Sequence, residues 1–289
     1  MVRFIRIRQL LTTSMLLLLA LLVVLCQKVE AVQSTERIPV RPTFESAYLI
    51  NGQTVTMHSA RTLEFAIQHR FGKVNSGTFD LLGLYAHAND IRMGLNYYAT
   101  DRIQIGIGTT KSQMLQDLNW RWLLLQQSRD NVIPVSVLYA GNSAISTRDA
   151  PTVYPDLSNR LSYYHELMVA RRFNEQFSLQ LSGSLAHFNI VEEGQENTNF
   201  SLAARSRYAL TYALSALLEY EHPLTTHENT SPRPNLGFGL EYATRGHQFQ
   251  IFMSNFDTLM PQRNLLVHTN QIAEFDFLIG FNIIRRWNL

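Results

Sequence analysis

Apolar residues recur at every second position along most of this chain, and this alternation is the feature that most restricts its fold. Residues 103–107 show it plainly: Ile103, Ile105 and Ile107 share one parity, and Gln104 and Gly106 occupy the other. Successive side chains of a β-strand point to opposite faces, so a period of two predicts strands with one apolar and one polar face. The pattern continues to the C-terminus and predicts an all-β chain.

Twelve segments carry the alternation, and about 9–11 tilted residues suffice for a strand to cross a bilayer. The segments lie near residues 61–71, 91–97, 103–108, 118–124, 133–146, 158–172, 176–189, 198–209, 211–222, 235–244, 246–256 and 272–287. An even number of such strands is typical of a bacterial transmembrane β-barrel.

The connections between these segments alternate between longer and shorter ones. The longer connections are near 72–89, 111–115, 147–158, 190–197, 223–234 and 257–271, and the shorter ones near 99–101, 128–132, 173–175, 210–211 and 244–246. Long loops on one side and short turns on the other are typical of membrane barrels. We therefore expect both chain ends on the short-turn side.

The last predicted strand has the clearest pattern, and the chain stops where it ends. Its apolar parity holds Phe275, Phe277, Ile279, Phe281, Ile283, Trp287 and Leu289. Outer-membrane barrels commonly finish with such an aromatic-bearing strand. We therefore expect this strand to be recognised by the barrel-assembly machinery.

A soluble β-sandwich also alternates, but the polar faces here are unusually rich in charge. A closed barrel can place charged groups in its lumen while its outer face meets hydrocarbon, and closure leaves no open strand edge. The candidate lumen-lining residues are Arg70, Arg92, Arg102, Arg121, Arg160, Arg205 and Arg207 with Glu64, Glu166, Glu219 and Glu241. The predicted fold is an antiparallel transmembrane β-barrel of about twelve strands.

The N-terminus has the features of an export signal. Arg3, Arg6 and Arg8 precede an apolar run over residues 15–26, and small residues at 29 and 31 form a cleavage site. We predict a cleaved signal peptide at residues 1–31, a periplasmic arm at 32–60 and the barrel at 61–289 in a bacterial outer membrane. The arm could also form a plug or an extra strand pair.

The charge of the mature chain gives no support to nucleic-acid binding, and its cysteine content excludes a disulfide-stabilised domain. Cleavage after residue 31 removes four of the 25 basic and one of the 23 acidic residues, leaving 21 and 22. A nearly neutral chain gives no reason to expect a nucleic-acid partner. The single cysteine, Cys26, leaves with the signal, so a disulfide-stabilised domain is excluded.

Candidate sites for metal or catalysis are weak. His69, His165, His187 and His247 share the apolar parity of their strands but lie on different strands and at different heights, so we interpret them as interfacial or hydrogen-bonded. A lipid-processing enzyme needs a serine beside a histidine base, whereas Ser182 and Ser184 have the opposite parity to His187. We predict no catalytic residue, cofactor or metal.

Several short motifs resemble a bacterial outer-membrane β-barrel family of unknown function. They are residues 49–54, 69–72, 101–102, 159–163, 246–250 and 280–283. The resemblance runs from about residue 43 to the C-terminus. It implies a barrel fold and gives no activity, substrate or catalytic residue.

Three functions remain open on the sequence. The charged lumen favours a channel or transport-associated barrel for a small solute. Balanced lumen charges and the loops at 147–158, 223–234 and 257–271 are consistent with a closed scaffold that docks a periplasmic or surface partner. A lipid enzyme is the third. A continuous water path would favour transport, and a blocked one the scaffold.

Overall fold

Twelve consecutive strands close into one barrel in the computed structural model of the chain, which describes residues 38–85 and 89–289. A short hairpin, β1 (Tyr48–Leu49) and β2 (Gly52–Gln53), precedes them. The barrel strands are β3 (Thr62–Lys73), β4 (Asp90–Tyr98), β5 (Ile103–Thr110), β6 (Leu115–Leu125), β7 (Ser136–Ser146), β8 (Leu161–Arg172), β9 (Phe177–Phe188), β10 (Thr198–Ala209), β11 (Leu214–Pro223), β12 (Asn235–Ala243), β13 (His247–Ser254) and β14 (Leu278–Asn288).

All neighbours in the barrel are antiparallel and consecutive in sequence, and β14 pairs with β3 to close the ring. The predicted twelve-stranded antiparallel barrel is confirmed. The predicted signal peptide at residues 1–31 lies outside the described residues and stays a prediction. No helix within the described ranges is long and apolar enough to cross a bilayer.

The two parities of each strand become the two faces of the barrel wall. In β5, Ile103, Ile105 and Ile107 are 44, 52 and 59% exposed, whereas Gln104 is fully buried. This inverts the arrangement of a soluble protein, because large apolar side chains form the outer surface and polar ones fill the interior. Such an exterior is stable where hydrocarbon surrounds it.

The two ends of the barrel differ in their connections. What we call the long-loop end is formed by residues 74–85, 89, 111–114, 147–160, 189–197, 224–234 and 255–277. The short-turn end is formed by residues 99–102, 126–135, 173–176, 210–213 and 244–246. The connection at 126–135 is longer than expected. It is ordered by an isolated bridge between Ser128 and Pro39 in the N-terminal segment.

The start of the last strand differs from its prediction. β14 begins at Leu278 rather than near residue 272, so the parity argument does not hold for Phe275 and Phe277. Phe277 is buried, and Phe275 lies in a turn with a positive φ of 58°.

Hydrogen bonds to Asp276 explain this turn. Its carboxylate accepts from the Gln271 backbone N–H at 3.0 Å and from the Asn75 amide at 2.9 Å. Together with Lys73, these donors hold the pKa of Asp276 below its usual value. The turn therefore rests on hydrogen bonds to one carboxylate, which a two-residue period does not reveal.

The orientation of the wall predicts unequal effects of one substitution at two equally exposed isoleucines. Ile251, near the middle of β13, is 61% exposed, and Ile38, outside the barrel, is 64% exposed. Ile251→Arg should lower the free energy of unfolding in lipid vesicles by about 2–4 kcal/mol, because it places a charge in hydrocarbon. Ile38→Arg should change it by less than about 0.5 kcal/mol. Urea titration followed by tryptophan fluorescence measures both, and equal effects would mean that the β13 exterior is not in lipid.

Candidate functional site

The interior of the barrel is occupied by residues 43–57, which we call the plug. Phe44, Leu49, Ile50 and Val55 of the plug are buried and pack in one apolar cluster with wall residues that include Leu138. The β1–β2 hairpin forms the centre of the plug. Residues 43–57 of the predicted periplasmic arm at 32–60 therefore lie inside the lumen.

Two glutamine side chains of the wall bind the plug as a neighbouring strand would. Gln250 donates to the Tyr48 carbonyl at 2.8 Å and accepts from the Ile50 N–H at 3.3 Å. Gln180 donates to the Gln53 carbonyl at 2.8 Å and accepts from the Val55 N–H at 2.9 Å. Each amide therefore satisfies one donor and one acceptor of the plug backbone, as buried backbone groups require.

Charged wall residues hold the tip of the hairpin. One carboxylate oxygen of Glu219 accepts from the backbone N–H groups of Asn51 and Gly52, each at 3.1 Å. Arg70 donates to the Ile50 carbonyl at 3.2 Å and to the Asn51 side-chain oxygen at 2.6 Å. Hydrogen bonds to charged groups are stronger than neutral ones, so these contacts anchor the turn.

The turn itself is strained at one residue. Ile50 has a positive φ of 57°, which is a genuine outlier for a β-branched side chain. Such conformations cost on the order of 1–3 kcal/mol and persist only where the surroundings determine them. Here the surroundings include Gly237 on β12, where an added Cβ would lie 3.0 Å from the Ile50 side chain. The absence of a side chain at Gly237 therefore leaves room for Ile50.

A second closure comes from the long-loop end. Residues 255–277 fold back into the barrel mouth with a short helix, α1 (Pro261–Val267). Gln262 of α1 donates to Asn142 of the wall at 2.9 Å, and the Leu259 N–H donates to Asp90 at 2.8 Å. We call residues 255–277 the mouth loop.

The space between the plug and the mouth loop is nearly filled. The enclosed cavity that Gly52 of the plug and Leu259 of the mouth loop both line has a volume of about 20 Å³. A single water needs about 10–15 Å³ on this measure. The closure from both ends therefore leaves room for about one water molecule at this point of the lumen.

A buried ion cluster lies beside this cavity. Arg205 is 2.7 Å from Glu166, 3.6 Å from Glu219 and 3.7 Å from Glu221, and all four side chains are buried. Since Glu219 also holds the hairpin tip, the cluster and the plug share a residue. Gly52 approaches so closely that a Cβ there would overlap the Arg205 guanidinium.

A second cluster joins the plug to the wall near the short-turn end. Arg207 lies 3.2 Å from Glu45 of the plug and 3.7 Å from Glu241 of β12. On the same side, His58 lies 3.3 Å from Glu64 and accepts from Arg286 at 2.7 Å. Burial lowers the pKa of His58 despite its bond to Glu64, so the neutral imidazole is favoured and can accept from the guanidinium.

Nine of the eleven candidate lumen residues are buried inside the barrel. These are Arg70, Arg92, Arg121, Arg205, Arg207, Glu64, Glu166, Glu219 and Glu241. Arg102 and Arg160 differ from the prediction: Arg102 is exposed in a turn before β5, and Arg160 ends a short 3₁₀ turn before β8. Both lie beyond the strand ends, where parity no longer determines the face.

The prediction missed the uncharged residues that bind the plug. Gln180, Gln250 and Asn282 share the lumen parity of their strands and are buried, and Asn282 donates to the Ile50 carbonyl at 2.8 Å. A search of the lumen parity for charged residues overlooks these three amide side chains. Buried amides on the same parity are the signal that could have found them, because a buried amide needs a partner.

The four histidines on the apolar parity lie on the outside of the wall. His165 is within 2.7 Å of the Tyr139 hydroxyl, and His187 is within 2.8 Å of the Thr198 hydroxyl. These two are hydrogen-bonded as expected. Across residues 38–85 and 89–289, no group of three or more metal-ligating side chains converges.

The ion cluster predicts a large loss of stability on neutralising its cation. Arg205→Met leaves Glu166, Glu219 and Glu221 buried without their shared partner, which should cost about 3–5 kcal/mol of unfolding free energy. Arg102→Met, the same change at an exposed arginine, should cost less than about 0.5 kcal/mol. Urea titration in lipid vesicles compares the two, and a small effect at Arg205 would contradict a buried cluster.

Solved structures with a similar fold have low sequence identity to this chain. The KdgM porin has 7% identity and a TM-score of 0.47, with 79% of this chain and 99% of that chain covered. The COG4313 outer membrane channel from Pseudomonas putida F1 has 10% identity and a TM-score of 0.49, with 80% and 97% covered. LpxR from Salmonella typhimurium has 9% identity and a TM-score of 0.38, with 79% and 100% covered. At these identities the likeness concerns the fold alone.

The sequence also matches a family model. No curated protein matches this chain. Residues 44–287, which include almost all of the plug, match the model described as a membrane bound beta barrel domain (DUF5777). The chain therefore belongs to this family of membrane-bound β-barrels.

Proposed function

We propose that this protein is a transport-associated outer-membrane barrel whose lumen is closed by its own N-terminal plug and opens when the plug moves. The observation that carries the proposal is the polar contact between plug and wall. Gln180, Gln250, Glu219, Arg70 and Asn282 bind the plug through hydrogen bonds to its backbone or to Asn51. Water can replace such bonds when the segment leaves.

The energetics of the lumen support a movable plug over a permanent filling. Replacing a buried ion pair by packed apolar residues is often neutral or stabilising by about 1–4 kcal/mol. A barrel that only had to be filled would therefore gain nothing from Arg205 and its three glutamates. Charged side chains are an advantage when the lumen is also exposed to water, because they are then hydrated instead of desolvated.

Transport through this barrel needs movement at both ends, and we infer that displacement of the plug also loosens the mouth loop. Arg70, which binds the plug, and Asp90, which binds the mouth loop, are register partners on β3 and β4. The plug closes the lumen from the short-turn side, and the mouth loop closes it from the other. The mouth loop is also bound by polar contacts, such as Gln262 with Asn142 at 2.9 Å. Its movement therefore exchanges these hydrogen bonds with water, and it also opens the apolar contacts of Leu265 and Leu266 with wall residues such as Tyr164.

Lipid contact, export and assembly belong to the same proposal. The apolar exterior fits outer-membrane lipid, and β14 carries Trp287 on its outer face. Export through cleavage after residue 31 and recognition of β14 by the barrel-assembly machinery complete it. The transported molecule is a small solute that the polar lumen would admit.

A closed scaffold is the second candidate, and the blocked lumen favours it. In that function the plug never leaves, and the loops at the long-loop end dock a partner. A lipid enzyme has less support: Ser184 is buried in the lumen and bonds Ser201 at 2.6 Å, whereas His187 lies on the outer face beside Thr198.

Conductance of a glycine variant separates the transport barrel from the scaffold. Gly237→Val places a side chain where Ile50 now packs and should displace the hairpin tip, so single-channel conductance in planar bilayers should rise above that of the unaltered protein. Gly183→Val is the matched control, because an added Cβ there meets only Leu202 at 3.6 Å. It should conduct like the unaltered protein.

A folded but silent Gly237→Val barrel would contradict the transport proposal. Heat-modifiable migration on gels checks folding. If that variant does not fold, Asn282→Ala removes a 2.8 Å hydrogen bond to the plug without adding bulk near Ile50. Folded barrels of both variants without conductance would support the scaffold.

A further inference from the structure

A cavity of about 490 Å³ opens at the long-loop end, between the mouth loop and the wall. Residues from the loops at 111–114, 147–160 and 189–197 surround it, and α1 forms one side. Leu115, Phe188 and Leu266 give it an apolar side. Three arginines, Arg148, Arg160 and Arg263, line it as well.

Arg263 on α1 gives the clearest indication that this cavity is a binding site. Its Nε is buried and has no hydrogen-bond partner. Burial lowers the pKa of Arg263 below its ordinary value, and Arg148 adds to the effect, against the opposing influence of Tyr154, Asp257 and Glu192. A half-buried cation without sufficient compensation is costly, and a bound anion would reduce that cost.

The other two arginines are held in place by the protein. One terminal nitrogen of Arg160 donates to the carbonyls of Ser146 at 3.1 Å and Arg148 at 2.7 Å, and its guanidinium lies 5.2 Å from the centre of the Tyr154 ring. Arg148 donates to the Gln113 side chain at 3.2 Å. A guanidinium has five N–H donors, so these bonds orient each group and leave donors for a ligand.

The balance of charge in the cavity is positive. Glu192 is the acidic residue among the lining residues that accompany the three arginines. Guanidinium groups match carboxylate and phosphate oxygens in geometry. Ligand cavities typically have volumes of about 300–1,000 Å³ and combine apolar walls with a few polar groups.

We propose that this cavity binds a small organic anion, with its acidic group at Arg148, Arg160 and Arg263 and its apolar part against Leu115, Phe188 and Leu266. The ligand is an oxyanion with an apolar body the size of an aromatic acid. The site is separate from the plug and lies at the opposite end of the barrel. It is tested by binding alone, whether or not the barrel conducts.

Binding of 4-fluorobenzoate to the full-length protein in lipid nanodiscs tests the proposal, with ¹⁹F NMR as the readout. The neutral 4-fluorobenzamide has the same shape without the charge and should bind at least about tenfold more weakly, because charge-assisted hydrogen bonds are lost. Inorganic phosphate, which has the charge without the apolar part, should also bind more weakly. Equal binding of either analogue would overturn the proposed ligand class.

Substitution of the arginines locates the site. Arg263→Gln should weaken 4-fluorobenzoate binding about tenfold or more. If that variant does not fold, Arg148→Gln at an exposed position should weaken it in the same direction. Arg129→Gln is the matched control, because Arg129 lines another arginine-rich cavity of about 490 Å³ at the short-turn end. Binding that is unchanged by the first two substitutions, or reduced equally by the third, would overturn the assignment.

Discussion

Closure of the backbone hydrogen-bond network is the constraint on which this structure depends. Hydrocarbon offers no partner to a free N–H or carbonyl group, so a membrane sheet must leave no edge. The pairing of β14 with β3 meets this requirement and places the ends of the barrel sequence side by side, with Asn288 opposite Thr62. Once the ring is closed, every strand has one face toward lipid and one toward the lumen, and the composition of both faces follows from that division.

The lumen then presents its own requirement, because polar side chains that face inward must find partners. Some find them in the wall, as Arg92 does with Asp117 at 2.8 Å. Others find them in the plug, whose backbone supplies the donors and acceptors that Gln180, Gln250 and Asn282 need. The same polarity that makes the lumen suitable for water therefore makes it suitable for a hydrogen-bonding segment, and these two occupants compete for the same side chains.

The sequence predicts the parts of this structure that depend on residues close together in the chain, and not the parts that depend on contacts between distant residues. The wall was predictable because alternation is local, and the twelve segments correspond to the twelve barrel strands. The plug contacts were not, since Gln250 lies 200 residues from Ile50 in the chain and only the closed barrel brings them together. Hydrogen bonds to a single side chain also override the pattern, as those to the Asp276 carboxylate show. Parity assigned Arg102 and Arg160 to the lumen, but both lie outside the strands, where parity does not determine the face.

The two closures of the lumen are attached to neighbouring residues of the wall. Arg70 and Asp90 are register partners on β3 and β4. Arg70 donates to the Ile50 carbonyl of the plug at 3.2 Å, and Asp90 accepts from the Leu259 N–H of the mouth loop at 2.8 Å. If the plug left, Arg70 would lose the hydrogen-bond acceptors that the plug supplies. Asp90 would then be the opposite charge next to it. A stronger attraction between them would compete with the bond to Leu259, so we expect loss of the plug to weaken the hold on the mouth loop. The wall can thus couple the two ends of the barrel through one pair of side chains.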